Sequence, residues 1–287
     1  MMSPQVQAFF DPHTNTISYI VSDPETRAAA IIDPVLDFTA RNARTSTASA
    51  DKLLEVIEEA GLELRYILET HAHADHLSAA HYIHERTDAP VVIGKDIAKV
   101  QKIFAPLFEA EDVTPDGSAF DRLVAEGDEL TLGALSISVM HTPGHTPACV
   151  SYVIGDAAFV GDTLFMPDYG TARTDFPGGD ARTLYRSIRK ILSLPPETRI
   201  FTGHDYPPAG RSEPAWEASV AEQRAHNIHV HDGVSEDDFV AMREARDKTL
   251  FAPELILPSL QVNIRAGAMP PPTPDGHVYL RLPVNAI

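Results

Sequence analysis

Four side chains able to hold a metal ion stand within one short run, His71, His73, Asp75 and His76. Imidazole and carboxylate together suit zinc, iron or manganese and need no thiolate. His71 and His73 alternate, so both can face one metal centre, with Asp75 and His76 facing a neighbouring position. Further donors follow in order: His141 in His-Thr-Pro-Gly-His145, Asp162 in Gly-Asp-Thr163, and His204 in Gly-His-Asp205. A solvated histidine-rich loop would account for the first run alone. It does not account for donor after donor standing where a strand-like run ends, the place where side chains from several strands can converge.

The elements that must position these residues are legible as short runs. Residues 6–10, 16–21 and 28–32 are strand-like, broken by Asp-Pro turn signals at Asp11, Asp23 and Asp33. Residues 39–49 are polar and read as loop. Leu53, Leu54, Ile57 and Ala60 recur at helical spacing and stop at Gly61. Residues 64–68 form the strand that delivers His71. A helix over 77–86, a strand over 90–93, a helix over 96–104 and an acidic loop over 109–121 come next.

The second half repeats the theme. Leu135, Ile137 and Val139 alternate with serines, the period of a half-buried strand. Residues 149–154 and 157–160 read as a hairpin turning at Gly155-Asp156. Leu184, Ile188, Ile191 and Leu192 mark a helix, 199–202 a strand, and 214–227 and 235–250 two more helices, the latter capped by Ser235 with Asp238. The proline-rich tail from Pro253 contains a strand-like stretch over 260–264. Two strand-rich halves with helices between them predict an α/β chain folded as an αββα sandwich. One domain is expected over residues 1–287, with residues from about 207 forming a C-terminal helical and strand extension of it.

Composition narrows the partners. Lys plus Arg (23) against Asp plus Glu (41) leaves a net charge of −18, which argues against nucleic acid, whose affinity comes mainly from cationic side chains. A small-molecule substrate is expected instead. The one cysteine, Cys149, cannot form an internal disulfide and reads as a small buried hydrophobe. No leader-like start and no membrane-length apolar run is visible, so a cytoplasmic protein without membrane attachment is expected. His81 and His84 read as surface or packing residues, and His226, His229 and His231 as a solvated helix end. His145 reads as a neighbour of the ligands, not as one of them.

The histidine run, His141, Asp162 and His204 resemble the ligand set of the metallo-β-lactamase superfamily, and the αββα sandwich comes with that resemblance. In dinuclear members of that superfamily, His71, His73 and His141 would hold one metal and Asp75, His76 and His204 a second, with Asp162 bridging. Arg173-Thr-Asp-Phe176 and its following glycines, Gly203-His-Asp-Tyr206, and Gln261-Val-Asn-Ile-Arg-Ala-Gly267 further resemble the persulfide dioxygenases (sulfur dioxygenases). That resemblance implies one Fe(II) per chain on His71, His141 and Asp162, with His73, Asp75, His76 and His204 orienting these ligands. It implies oxidation of glutathione persulfide by O2 to sulfite and glutathione, contacts to the substrate from Tyr206, Arg224 and Arg173, and a homodimer; for Arg173 a structural salt bridge with Asp175 is the alternative. The rival is a glyoxalase II-like thioester hydrolase with one or two Zn(II). Against the rival stand the Arg-Thr-Asp-Phe segment and the strand-like tail, since a glyoxalase II would end in helices.

Overall fold

A computed structural model describes residues 3–286 of the chain. Its centre is a pair of six-stranded sheets. The first runs, edge to edge, Gln5–Asp11, Thr16–Ser22, Ala28–Ile32, Glu63–Leu68, Val91–Gly94 and Arg122–Val124. The second runs Glu129–Leu132, Leu135–His141, Val150–Ile154, Ala157–Phe159, Arg199–Phe201 and Glu217–Ser219. Helices α1 (Ala48–Glu59), α2 (Ala80–Thr87), α3 (Ile97–Leu107), α4 (Ala181–Ile191), α5 (Val220–His226), α6 (Glu236–Asp247) and α7 (Ile256–Asn263) lie outside them.

Strand alternation sorts the apolar side chains into layers. Ile17, Tyr19 and Val21 face inward with Ala28, Ala30 and Ile32, meeting Ile137, Val139, Tyr152 and Phe159 from the opposite sheet. Ile20, Ala29 and Ile31, on the other face, meet Leu53 and Ile57 of α1, Ile83 of α2, Phe104 of α3 and Leu260 of α7. Ala158, Val160 and Ile200 likewise meet Leu184, Ile188 and Ile191 of α4 and Phe239 of α6. This is the αββα sandwich expected from the sequence. Each fully buried Leu or Ile at such a seam contributes roughly 1.5–3 kcal/mol, so the stripe on α4 alone holds that helix firmly. Asp180 caps it by accepting from the Thr183 N–H, a contact worth about 1 kcal/mol.

Several elements differ from the sequence reading. Residues 260–264 are not a strand: α7 occupies Ile256–Asn263, buried on nearly every side. A short apolar run has no periodicity that separates a buried strand from a buried helix, and Pro258 sits in the first turn, where its missing N–H costs nothing. The contrast with a helical tail therefore no longer counts against a thioester hydrolase. Residues 214–227 split into the edge strand Glu217–Ser219 and α5, with a capping box at Ser219 and Glu222. Residues 77 and 78 form a short strand before α2, and the polar stretch 39–49 holds the strand Arg44–Ser46 and the start of α1. Among the described residues no helix is long and apolar enough to cross a membrane.

Candidate metal centre

Three strand ends converge at one edge of the sandwich. The strand Glu63–Leu68 delivers Thr70 and the histidine run, Ala157–Phe159 delivers Asp162, and Arg199–Phe201 delivers His204. Asp33, at the end of Ala28–Ile32, ties the first of these down: it accepts from the Thr70 N–H and hydroxyl, both at 2.8 Å. Gly161 lets the second approach the first, because a Cβ there would lie 2.4 Å from Thr70 Oγ1 and φ is +49°. The third is joined to the strand Thr16–Ser22 by a bridge between Thr16 and His204.

Two groups of donors meet at Asp162, and a third, Asp33, Glu69 and His73, shares His73 with one of them. His71, His145 and Asp162 bring ligand atoms within 4.8 Å of one another, and so do His73, Asp75, His76 and His204. The Asp162 carboxylate joins the groups, with Oδ2 at 4.0 Å from His71 Nε2 and 3.7 Å from His145 Nε2, and Oδ1 at 3.3 Å from His204 Nε2.

Each ring is pinned through one nitrogen. The Thr70 hydroxyl donates to Asp33, so toward His71 Nδ1, 3.0 Å away, it can only accept. His204 Nδ1 donates to the Asn15 carbonyl at 3.2 Å, and His145 Nδ1 to the Arg173 carbonyl at 2.8 Å. His76 Nδ1 faces Thr16 Oγ1 at 3.2 Å, and His73 Nε2 faces Asp33 and Glu69 at 3.1 and 3.2 Å. The other nitrogens of His71, His73, His76 and His204, and Asp162 Oδ1, are buried without any hydrogen-bond partner. Buried polar atoms are rarely left so. Rings fixed by one nitrogen with the other aimed at a common point are how proteins present imidazole to a metal. The residues therefore fit a metal ion, with imidazole and carboxylate donors and no thiolate.

Electrostatics agree. Burial holds His71 well below the usual histidine range, helped by His73 and His145, and burial also lowers His76. Burial opposes charge on His73, but Asp33 and Glu69 outweigh it and raise that ring well above the usual range. His204 is raised in the same way by Asp162 and Asp75 against the cost of burial. For Asp75, burial is outweighed by His204 and His76, and the carboxyl lies well below the ordinary carboxylate value. A cation at these atoms replaces the protons that the carboxylates otherwise draw in.

The structure corrects one expected ligand. His141 ends its strand as expected, but its ring turns to the Pro147 carbonyl (3.1 Å) and Asp96 (3.6 Å) and belongs to neither donor group. His145 stands in its place beside His71 and Asp162. Gly144, with φ +137°, carries the chain against the backbone of Leu184 at the start of α4, where a Cβ would lie 2.3 Å from Leu184 Cα. That close passage swings the following residue inward.

A cavity of about 870 Å³ opens onto Asp75, His76, His145 and Asp162. Tyr206 lines it and stacks on His204 with centroids 5.7 Å apart. Burial, with Asp75 and Asp162 beside it, pushes its phenol well above the usual value, so it stays protonated. Arg173 lines the cavity too, but Nε and Nη2 hold Asp175 at 2.5 and 2.6 Å and Nη1 donates to the Phe251 carbonyl. Arg224 does not line the cavity: it pairs with Asp232 at 2.9 Å. Sequence reasoning passed over Tyr169, Arg243 and Arg246, which share the cavity wall. Arg243 and Arg246 lie one helical turn apart on α6, the only signal that placed them on one face.

The family model of the metallo-beta-lactamase superfamily matches residues 13–204. The chain belongs to that superfamily. A probable metallo-hydrolase of Burkholderia pseudomallei is 55% identical over 98% of this chain and 99% of its own length. Glyoxylase B2 of Dictyostelium discoideum is 48% identical, covering 98% of this chain and 97% of that protein. The mitochondrial persulfide dioxygenase ETHE1 of mouse is 31% identical over 93% and 91%. Against a beta-lactamase hydrolase-like protein of Xylella fastidiosa, 52% identical, the chain spans 66% of the relative's length. Among solved structures, ETHE1 from Myxococcus xanthus superposes with a TM-score of 0.74 at 33% identity, covering 92% of this chain and all of that one. The chain is thus similar, in sequence and in fold, to proteins named for more than one chemistry.

Proposed function

We propose that this chain is a persulfide dioxygenase, converting glutathione persulfide, dioxygen and water to glutathione and sulfite. The observation that carries the reading is the separate grouping of His71, His145 and Asp162. Two imidazoles and one carboxylate are the donor set of iron(II) oxygenases with open positions. The likeness to proteins named persulfide dioxygenase supports it. One iron(II) per chain held there supplies, when bound, the redox chemistry by which dioxygen reacts with sulfur.

The chain's own residues do the rest. Thr70 and the Arg173 carbonyl fix the His71 and His145 rings. Phe165, Tyr169 and Tyr206 pack ring against ring as an aromatic wall of the cavity beside His204. Tyr206, held protonated, offers a hydrogen-bond donor on that wall. Arg173 shapes the rim through Asp175 and Phe251 instead of meeting the substrate.

A second reading has an observation of its own. His73, Asp75, His76 and His204 form a second donor group, and glyoxylase B2 is among the relatives. Two metal ions with Asp162 between them would suit a glyoxalase II-like thioester hydrolase. Purification without air, elemental analysis and oxygen uptake separate the two. About one iron per chain with rapid uptake on glutathione persulfide is expected. Two zinc ions, no uptake and turnover of S-lactoylglutathione would overturn it.

A further inference from the structure

Four arginines line the cavity, and they divide in two. Arg173 is committed to Asp175 and the Phe251 carbonyl. Arg243, buried, is committed to Asp247 through Nε and Nη2 and to the Thr171 carbonyl through Nη1. Arg41 and Arg246, by contrast, have no ion-pair partner among the described residues. They come from different halves of the chain, Arg41 from the turn after the strand Val35–Thr39 and Arg246 from α6.

Arg246 is connected to the donor atoms by a row of rings. Its guanidinium lies 5.9 Å from the Tyr169 centroid, Tyr169 lies 5.0 Å from Tyr206, and Tyr206 stacks 5.7 Å from His204. A ligand lying along that row reaches from a free cation to the metal centre. Three carboxylates that line the same cavity, Asp11, Asp37 and Glu254, also lack a cationic partner among the described residues; Asp11 accepts from the backbone N–H groups of His13 and Thr14 and Asp37 from Ser49, and Glu254 opposes an anion.

Arg41 and Arg246 are thus two guanidinium groups without ion-pair partners on one cavity wall, in a protein of net charge −18. Arginine receives carboxylate through paired N–H donors, which a lysine cannot do. We propose that Arg41 and Arg246 form an anion-recognising mouth that takes the two carboxylates of the thiol carrier. The cavity thereby selects a dianionic carrier such as glutathione over neutral thiols. This rests on the persulfide dioxygenase reading for the identity of the carrier, and the binding it describes is measured without turnover.

The probes are glutathione and its diethyl ester, titrated calorimetrically into the metal-loaded protein. Wild type is expected to favour glutathione, and Arg246→Ala to weaken it about tenfold, one RT ln 10 step, while leaving the ester unchanged. Arg41→Ala should act in the same direction, and Glu254→Gln should strengthen glutathione binding. Melting temperatures of the variants, all at exposed positions, serve as the folding control. Unchanged glutathione affinity in both arginine variants overturns the proposal, as does an equal loss for the ester or no glutathione binding by wild type. If oxygen uptake is absent but Arg246→Ala still loses glutathione, only the dioxygenase reading fails. If uptake is rapid and neither arginine matters, only this proposal fails.

Discussion

The side-chain amide of Asn263 donates to the carbonyls of both His73 and His76 at 2.8 Å, and its oxygen accepts from the Ser78 N–H at 2.8 Å. One buried residue of the last helix thus closes the loop that carries the histidine run. Gln101, fully buried on α3, supports that helix in turn by donating to the Ile264 carbonyl. Asn263→Ala leaves two carbonyls and one N–H unsatisfied in the interior, at a cost of about 3 kcal/mol, near 1 kcal/mol for each lost bond. The expected outcome is a lowered melting temperature together with less metal per chain. Asn263→Asp should rescue neither, because it turns the donor into an acceptor facing two carbonyls. An unchanged melting temperature with full metal content would sink the clamp.

His145 and His141 make a sharp pair for metal analysis. His145→Ala removes a donor from the His71 and Asp162 group, whereas His141→Ala removes only contacts to Pro147 and Asp96. Elemental analysis after gel filtration should find metal lost in the first and retained in the second. Asp162→Ala should lose more metal than His73→Ala, since Asp162 faces both donor groups. Equal losses at 141 and 145 would contradict the geometry.

The pair also shows where sequence reading reaches its limit. His71, His73, Asp75, His76, Asp162 and His204 were legible because each stands just past a strand whose alternation or apolar run is visible locally. The choice between His141 and His145 was not, because it depends on Gly144 passing against Leu184, a contact made only when α4 packs. Helix α7 was misread for a related reason. Burial on nearly all sides erases the one-sided pattern that identifies a helix, and only the fold places Asn263 under the metal loop. The Arg173–Asp175 pair is the salt bridge that the sequence offers as the alternative to substrate contact, whereas the role of Arg224 turns on Asp232, eight residues away, which no spacing rule singles out.

Cys149 lies in the strand-rich core, and burial pushes its thiol up to about 12. At pH 8 only about one molecule in ten thousand then carries the reactive thiolate. Ellman's reagent should report almost no free thiol on the folded protein within minutes and one per chain after denaturation. Cys149→Ala should leave activity unchanged. Prompt labelling of the native protein would mean that the thiol is reachable.

His229 predicts a pH dependence of stability. Its Nδ1 accepts from the Thr171 N–H at 3.1 Å, so the ring must be neutral in the fold. Burial, with Arg243 and Arg246 nearby, lowers it from 6.5 to about 4. A folded value below the unfolded one means that the unfolded chain takes up a proton first as the solution is acidified. The contribution of His229 is therefore fully present above pH 6.5 and is lost as pH falls from 6.5 toward about 4. The full shift corresponds to about 3 kcal/mol, and solvent screening of this incompletely buried ring reduces it. Because His73 and His204 shift the opposite way, the measurement is a difference between wild type and His229→Gln. Denaturant midpoints compared at pH 7.5 and pH 5 should converge on acidification, as wild type loses stability faster than the variant. Parallel loss in both proteins would show that the ring does not carry this dependence.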